Sequence, residues 1–278
     1  MEWVSMKNRA SDHFVNAALN LPQPLPVLLG NAWSVARRRK GRFKMSGNLI
    51  ALRESDLELL ICEPQRMRLY HSGIQYRLDY LARNYFTAYV PLAAGDVVID
   101  VGANIGEFSL ALARLEPKLH FIACEPEPYE REALTRNMSP YNVDVISEPI
   151  WLKEESIEWF SANKGADSTL ISRGLRTLGQ KRQATTIAEV CRTLGVNHVK
   201  LLKVEAEGAE PEVLLGSRDI LPSVDYVTVA CGPERGPKLL STDVECEAIM
   251  LSQGFAQIAS RSTPRTLLFA REDLVPAR

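Results

Sequence analysis

The feature that most constrains this chain is an apolar strand that leads into a glycine-hinged turn and then a helix. Residues 97–101 are mostly branched and apolar, which is typical of a buried parallel strand. Gly102 and Gly106 bracket the turn, and apolar side chains recur at helical spacing from Ile105 onward. Glycine lets a backbone approach a ligand closely, and a new helix offers N–H groups at its start. The segment therefore predicts a nucleotide-binding strand, turn and helix.

The spacing within this turn differs from that of a dinucleotide fingerprint. The G-x-G-x-x-G pattern packs its glycines around a pyrophosphate, whereas here Asp100 precedes Gly102 and the next glycine is Gly106. This arrangement favours a cationic ligand without phosphates, and S-adenosylmethionine (SAM), with its ammonium and sulfonium, fits. A nicotinamide-dependent oxidoreductase is the alternative that the spacing disfavours. The predicted cofactor contacts in this unit are Asp100, Gly102, Ala103, Asn104, Gly106 and Phe108.

A second acid follows the next predicted strand, at residues 120–124. Glu125 lies close to the roughly 20-residue offset at which a ribose-binding acid follows a nucleotide loop. We predict that Glu125 accepts both ribose hydroxyls and that Pro126 lies beside the cofactor. The alternative is that Glu125 caps the helix that begins near Pro128, since acids are common at helix starts. Its combination with the glycine turn favours the cofactor role.

Three segments carry a family resemblance. Residues 98–106, residues 124–128 and residues 201–210 with 212–214 resemble the FkbM-type SAM-dependent methyltransferases in order and spacing. The resemblance covers about residues 60 to 270. It implies transfer of a methyl group, usually to an oxygen of a sugar, polyketide or other natural product. Many members have Asp where this chain has Glu205, so a carboxylate is kept but extends one methylene further.

Composition and charge narrow the class of protein. The formal net charge of −1 gives no global attraction to nucleic acid. The five cysteines are scattered without metal-site spacing, which predicts reduced core thiols in a cytoplasmic protein. No apolar run reaches the ~18 residues of a membrane span, so we predict no integral membrane segment.

The chain is predicted to divide into a helical or irregular appendage, residues 1–45, and a methyltransferase domain, residues 46–278, with its cofactor-binding core from about residue 95. The appendage contains a basic run at residues 37–42. That run suits a solvated helix face, or alternatively an acidic partner or membrane surface. A short strand pair is predicted around Leu49 to Cys62, followed by a helix through Tyr80 and Tyr85.

From residue 95 onward, alternating strands and helices predict an α/β fold with a mostly parallel, doubly wound, Rossmann-like sheet. An extra strand is expected at residues 156–160. The family resemblance implies the class I methyltransferase version of this fold, with an antiparallel last strand in a terminal hairpin. The predicted sheet strands are residues 97–101, 120–124, 143–147, 199–204, 225–231, 255–260 and 265–270.

Carboxylates at the carboxyl edge of this sheet are the candidates for chemistry. Glu205 and Glu207 follow a buried strand, and Glu234 lies in a glycine-flanked turn. A hydroxyl acceptor needs a general base, so the predicted catalytic groups are Glu205, Glu207, Glu234 and His71, and Glu205 is also a predicted cofactor contact. The alternative for Glu207 is that it serves the helix that contains Pro211. The three glutamates are hard oxygen ligands, but no spacing demands a metal, and none is predicted.

The acceptor is predicted to be a small molecule or a glycan. Its predicted contacts are Tyr70, Arg77, Ser168 and Arg235; for Arg235 a salt bridge on the loop is the alternative. Trp151 is assigned to adenine or, alternatively, to the core. The sequence is compatible with a homo-oligomer, and it leaves open a SAM-binding scaffold protein without catalysis.

Overall fold

The computed structural model describes residues 24–36, 41–160 and 179–275. The chain forms two compact units, residues 1–77 and residues 78–278. The division predicted at residues 45 and 46 falls inside a strand, because residues 42–46 pair with the strand that follows them.

The first unit contains a helix and a three-stranded antiparallel sheet. Helix α1 spans Leu25–Ala36, and strands β1 (Arg42–Ser46), β2 (Leu49–Glu54) and β3 (Leu57–Ile61) pair in that order. The predicted strand pair is confirmed as β2 and β3, whereas β1 was not predicted. A 3-10 helix, Pro64–Tyr70, precedes helix α2, Ile74–Asn84, which continues into the second unit.

A seven-stranded sheet organises the second unit. Its strands in chain order are β4 (Val97–Val101), β5 (His120–Cys124), β6 (Asn142–Ile146), β9 (Val199–Val204), β10 (Val224–Ala230), β11 (Phe255–Ser262) and β12 (Arg265–Arg271). A separate hairpin pairs β7 (Ser156–Trp159) with β8 (Gln180–Gln183). The order across the sheet is β11-β12-β10-β9-β4-β5-β6. Strand β12 is antiparallel to both neighbours, and the other central pairings are parallel. The predicted Rossmann-like sheet with an antiparallel last strand is confirmed.

Helices cover both faces of this sheet. The helices are α3 (Glu107–Ala113), α4 (Pro128–Met138), α5 (Ile187–Leu194), α6 (Glu210–Gly216) and α7 (Asp243–Ser252). Side chains alternate between two cores: Ile99 packs with residues of α5, α6 and α7, whereas Val98 packs with residues of α3 and α4. Short 3-10 helices at Thr87–Tyr89, Leu221–Ser223 and Glu272–Leu274 complete the regular structure of the described residues.

The five cysteines are free and buried, as predicted for core thiols. Among the residues described, no helix has the length and apolar character needed to cross a bilayer.

Candidate active site

The sheet brings the predicted acids to one edge. Strand β4 lies between β5 and β9, and Val101, Cys124 and Val204 are in register at the carboxyl ends of the three strands. Asp100 is in β4, and Glu125 and Glu205 directly follow β5 and β9. In open parallel sheets ligands bind at this edge. The placement of these three acids around the glycine turn therefore follows from the sheet order.

A buried lysine that the sequence analysis missed connects two of these acids. Lys203 Nζ lies 3.0 Å from Asp100 Oδ1 and 3.0 Å from Glu205 Oε2. It also donates to the carbonyl oxygens of Val101, at 3.2 Å, and Gly102, at 2.9 Å. Burial alone would lower the pKa of Lys203, but the nearby carboxylates of Asp100 and Glu205 raise it above its ordinary value. The ammonium thus joins β9 to β4 and to the start of the turn.

Aromatic rings close over this ammonium. Lys203 Nζ lies 5.4 Å from the ring centroid of Tyr85 and 5.9 Å from that of Phe108, and the two rings meet edge to face. On the other side, Ser109 donates to Asp100 Oδ2 at 2.8 Å. Asp100 is fully buried in this cluster. Both Asp100 and Phe108 therefore lie in the wall behind the turn, and their direct contact with a cofactor stays a prediction.

The backbone N–H groups of the glycine turn are all bonded within the protein. Gly102 and Ala103 donate to the carbonyl oxygen of Cys124, and Gly106 donates to that of Ala103. Asn104 donates to Glu125 Oε2 at 2.8 Å, and the side chain of Asn104 accepts from Ile105 at 2.9 Å. Residues 102–106 thus hold no unbonded N–H for a pyrophosphate. This finding supports a cofactor without phosphates at the turn.

Gly102 and Gly106 are required because neighbouring protein atoms leave no room for a side chain at either position. A Cβ at Gly102, whose φ is +73°, would lie 2.1 Å from the carbonyl oxygen of Glu205. A Cβ at Gly106, whose φ is +87°, would lie 2.9 Å from Leu134 Cδ1. Both glycines were predicted to allow the approach of a ligand, whereas their close contacts are with Glu205, which follows β9, and with Leu134 of α4. Substitution is therefore expected to disturb the turn itself.

Glu125 is placed where a ribose-binding acid is predicted. Its side chain is buried, and Oε1 and Oε2 accept N–H groups of Glu127 and Asn104, each at 2.8 Å. Burial raises the pKa of Glu125 to about 7, although these two N–H groups act in the opposite direction. Each carboxylate oxygen has two lone pairs. Glu125 can therefore hold the turn and still accept hydrogen bonds from a ligand.

The β7–β8 hairpin supports the turn after β5. Arg182, on β8, donates to the carbonyl oxygen of Pro126 at 2.6 Å and lies over the ring of Trp159, on β7, 5.4 Å from its centroid. Trp159 Nε1 donates to Glu127, and Arg131 also donates to the Pro126 carbonyl, at 2.8 Å. The carbonyl of Pro126, a predicted cofactor contact, is thus held by two guanidinium groups. Ser168, a predicted acceptor contact between β7 and β8, lies outside the described residues.

Trp151 follows β6 and is half-buried. Its indole Nε1 donates to Glu155 Oε1 at 3.2 Å, and its backbone N–H donates to the carbonyl oxygen of Thr185. A contact between Trp151 and adenine stays a prediction.

The turn after β9 is held from inside by Glu210. Glu210 Oε1 accepts the N–H groups of Ala206, at 2.9 Å, and Gly208, at 3.1 Å, and Oε2 accepts the hydroxyl of Thr242. Burial raises the pKa of Glu210. Glu207 has a left-handed φ of +53° within this turn. The position of Glu205 is thus fixed by the turn that follows it, and its side chain is 42% exposed.

Arg235 braces the same turn from the loop after β10. Its guanidinium forms two hydrogen bonds with Glu212, at 2.6 and 2.8 Å, and donates to the carbonyl oxygen of Gly208 at 2.7 Å. These contacts match the salt-bridge alternative for Arg235, and its role toward an acceptor stays a prediction. Glu234 is partly buried beside it.

Three further predicted residues belong to the first unit. Tyr70 and His71 line a cleft of about 120 Å³ that also includes Glu54. His71 Nδ1 lies 3.2 Å from the carbonyl oxygen of Arg68. Arg77 lies in α2. The roles of Tyr70, His71 and Arg77 stay predictions.

The carboxylates and the glycine turn at the sheet edge suit SAM as a ligand. Carboxylates of Glu125 and Glu205 suit hydroxyl donors and positive charge, and the glycine turn has no N–H groups to spare at residues 102–106. Within residues 24–36, 41–160 and 179–275, no group of three or more His, Cys, Asp or Glu side chains is arranged to hold a metal ion.

Known proteins match the segment that builds this edge. The family model of the methyltransferase FkbM domain matches residues 100–256, more than half of the chain. The 2-O-methyltransferase NoeI of Sinorhizobium fredii is 21% identical over 186 residues, which cover 61% of this chain and 76% of NoeI. The 31-O-demethyl-FK506 methyltransferase FkbM of Streptomyces tacrolimicus is 26% identical over 181 residues, which cover 52% of this chain and 68% of FkbM.

A third relative is much longer than this chain. The AMB antimetabolite synthetase AmbE of Pseudomonas aeruginosa is 29% identical over 162 residues, 44% of this chain. The match spans 8% of the length of AmbE.

Proposed function

Since this chain belongs to the FkbM methyltransferase family, we propose that it transfers the methyl group of SAM to a hydroxyl oxygen of a small-molecule or glycan acceptor. The observation that carries the proposal is the sheet edge at which Glu125 and Glu205 flank a glycine turn. Two relatives support the choice of oxygen, since their names describe methylation at an oxygen: NoeI, a 2-O-methyltransferase, and FkbM, which acts on 31-O-demethyl-FK506.

Each residue at the edge has a proposed part in holding SAM. Glu125 accepts the ribose hydroxyls with the lone pairs that its two N–H partners leave available. For Glu205, contact with the SAM ammonium is the alternative to the role of base assigned below, and Lys203 joins its carboxylate to that of Asp100. Gly102 allows the turn to lie against the end of β9. Trp151 lies beside the adenine.

When bound, SAM supplies a methyl carbon that its sulfonium already activates for in-line attack. The protein must then place the acceptor oxygen in line, exclude water and take up the hydroxyl proton. We assign the proton to Glu205 because, in its cluster, Asp100 and Lys203 are buried while the Glu205 side chain is 42% exposed. A Glu205 carboxylate oxygen would take up this proton when the acceptor oxygen is methylated. Glu207, Glu234 and His71 are the other candidates for the base.

The proposed acceptor contacts in the second unit are Arg235 and Ser168. Tyr70 and Arg77, in the first unit, stay predictions from the sequence. We propose that Arg235 acts chiefly by fixing the turn that presents Glu205, since its guanidinium already binds Glu212 and Gly208.

Glu205→Gln tests the assignment of the base. If Glu205 takes the proton, turnover at saturating SAM should fall by roughly 10²-fold, the usual size of a lost general base, while the Kd for SAM changes far less. Glu207→Gln tests the next candidate base on the same turn and, if Glu205 is the base, should keep turnover near the wild-type rate. Turnover of Glu205→Gln at the wild-type rate would refute the role. A parallel fall in SAM affinity and turnover would instead assign Glu205 to the ammonium.

Binding and transfer are measured separately so that the class of protein is also tested. Calorimetry with SAM and with NADH should show binding of SAM alone. Release of S-adenosylhomocysteine with a panel of hydroxylated sugars and macrolides should then identify the acceptor class. SAM binding without transfer to any hydroxyl, amine or carboxylate acceptor would favour a scaffold protein.

A further inference from the structure

One face of the β7–β8 hairpin carries an arginine and a tryptophan that contact the turn after β5. Arg182 lies opposite Ile157 in the hairpin register, and Trp159 is two residues further along β7. Because side chains alternate between the two faces of a strand, Arg182 and Trp159 share one face. Trp159 is 7% exposed although it belongs to a two-stranded hairpin. This face is therefore packed against the protein.

The hairpin is joined by backbone hydrogen bonds to the segment that follows β6. The N–H of Thr185 donates to the carbonyl oxygen of Pro149 at 3.0 Å. The N–H of Trp151 donates to the carbonyl oxygen of Thr185 at 2.8 Å. Arg182 lies three residues before Thr185 in the sequence, so its backbone is held close to this anchor.

Arg182 binds two successive residues of the turn that begins with Glu125. Its Nη1 donates to the carbonyl oxygen of Pro126 at 2.6 Å, and its Nη2 lies 3.5 Å from Glu127 Oε1. Trp159 Nε1 donates to the same Glu127 oxygen. Glu127 is the N-cap residue of α4, but its side chain makes no capping hydrogen bond to that helix. The Glu127 carboxylate contacts the hairpin instead.

A single peptide group connects these contacts to the predicted ribose acid. The backbone N–H of Glu127 donates to Glu125 Oε1 at 2.8 Å. This N–H belongs to the same planar peptide group as the Pro126 carbonyl that Arg182 binds. A guanidinium that holds the carbonyl end of the plane therefore also directs its N–H end toward Glu125. The positive charge polarises the peptide group as well, which makes the N–H a stronger donor.

Building on the proposed function, we propose that Arg182 is a positioning residue for SAM, which holds the peptide plane between Pro126 and Glu127 and thereby orients the Glu125 carboxylate toward the ribose hydroxyls. Arg131 binds the same carbonyl at 2.8 Å, but it belongs to α4, which begins directly after the turn. Arg182 instead ties the turn to the segment after β6. The β7–β8 hairpin thus becomes part of the cofactor site.

Calorimetry with two ligands tests the proposal: S-adenosylhomocysteine, and its analogue without the 2′- and 3′-hydroxyls. Arg182→Met should weaken binding of S-adenosylhomocysteine about tenfold, the size of one lost hydrogen bond to a charged group, and should leave binding of the analogue nearly unchanged. Arg182→Lys keeps a charged donor and should restore part of the affinity. Trp159→Phe keeps a ring beside the guanidinium but loses the N–H to Glu127, and should weaken binding of S-adenosylhomocysteine about threefold.

The pH dependence of SAM affinity separates this role from general support of the fold. The glycine turn has no charged side chain, and burial keeps the Cys124 thiol neutral by raising its pKa. The charged groups beside Glu125 are Glu127 on its own turn, Glu130 and Arg131 on α4, and Arg182 on β8. The Glu127 carboxylate raises the pKa of Glu125, and Arg182 offsets the charge of that carboxylate. Arg182→Met should therefore raise the pKa of Glu125 further and move the pH midpoint of SAM affinity to higher pH, whereas Arg182→Lys should keep the midpoint near that of the wild type.

Lys181→Met is the matched control. Lys181 is exposed on the same strand, on the opposite face from Arg182, and its substitution should change neither SAM affinity nor its pH midpoint. The inference is overturned if Arg182→Met binds S-adenosylhomocysteine like the wild type, or if it weakens binding of both ligands by the same factor. If the wild-type protein binds neither SAM nor S-adenosylhomocysteine, the proposed function itself fails and the inference falls with it.

Discussion

Removal of the buried ammonium of Lys203 should destabilise the fold and the cofactor site together. In Lys203→Met the side chain keeps a similar length but loses its charge. The carboxylate of Asp100, which is fully buried, then loses its ion pair at 3.0 Å and keeps the hydrogen bond from Ser109. Loss of one partner of a buried pair typically costs about 3–5 kcal/mol. Glu205, the other carboxylate, is 42% exposed and can be solvated when Lys203 is removed. We therefore expect a loss at the lower end of this range, about 3 kcal/mol in the free energy of unfolding.

Urea denaturation followed by circular dichroism measures this loss. A change of about 3 kcal/mol in the free energy of unfolding should lower the midpoint by about 1 M urea. Lys200→Met is the matched control on the same strand. Lys200 lies 3.0 Å from Asp225, but Asp225 also pairs with His198 and Arg271. Because Asp225 keeps those two partners, the control should lose less stability than Lys203→Met.

A double mutant separates the buried charge from general loss of packing. Asp100→Asn removes the negative charge with little change of shape, so Asp100→Asn with Lys203→Met should be more stable than the sum of the two single changes predicts. The interaction energy should be at least about 1 kcal/mol. Strict additivity, or a Lys203→Met midpoint equal to that of the wild type, would refute the account of Lys203 as the ion that joins β4 to β9.

Three further predictions concern the glycine turn at Gly102, the contact of Glu125 with the ribose, and the role of Arg235. Gly102→Ala should lower the free energy of unfolding by about 2 kcal/mol or more, because its Cβ would meet the Glu205 carbonyl at a φ of +73°. Gly95→Ala should lower it less, since Gly95 has a positive φ but open space around its Cβ. Equal urea midpoints for the two variants would contradict the steric argument. Glu125 has a pKa of about 7 in the protein, and ribose hydroxyls favour its ionised form, so SAM affinity measured by calorimetry should rise from pH 6 to pH 8. Glu125→Gln should bind SAM more weakly and should not show that rise. If the pH dependence of SAM affinity is the same in Glu125→Gln as in the wild type, contact between Glu125 and the ribose is excluded. Arg235→Lys should lower the urea midpoint if Arg235 is a brace, whereas a raised acceptor KM with an unchanged midpoint would favour direct contact.

The sheet could be predicted because its signals are local. Residues 97–101 and 120–124 are short apolar runs bounded by turns, and both appear as strands with the same limits. Parallel strands place their carboxyl ends at one edge. It could therefore be predicted that Glu125 lies close to the glycine turn. The unpredicted strand β1 has a different origin. Two of its five residues are basic, and it is recognisable as a strand through its pairing with β2.

The ion pairs of the site could not be predicted in the same way. Lys203 stands among apolar residues of a predicted buried strand, and that anomaly was the available signal for a buried cation. Its partner Asp100 is more than a hundred residues away in sequence, so the contact depends on β9 lying beside β4. Arg235 shows the same limit, since the turn that it braces is defined by contacts with Gly208 and Glu212. The acids and Arg235 were therefore predicted from the sequence, whereas Lys203 and the pairing of these charges required the strand order.

Glu205 stands where the family resemblance predicts an aspartate, and this difference has a structural consequence. The Glu205 carboxylate reaches the buried Lys203 at 3.0 Å while its side chain stays 42% exposed, so a single group touches both the interior ion cluster and the solvent edge. The turn that follows is fixed by Glu210 from within and by Arg235 from outside, which leaves the backbone at residue 205 little freedom to shift. An aspartate on this backbone would place its carboxylate one methylene closer to β9. The substitution therefore changes where the negative charge lies relative to an acceptor, while the charge itself is retained.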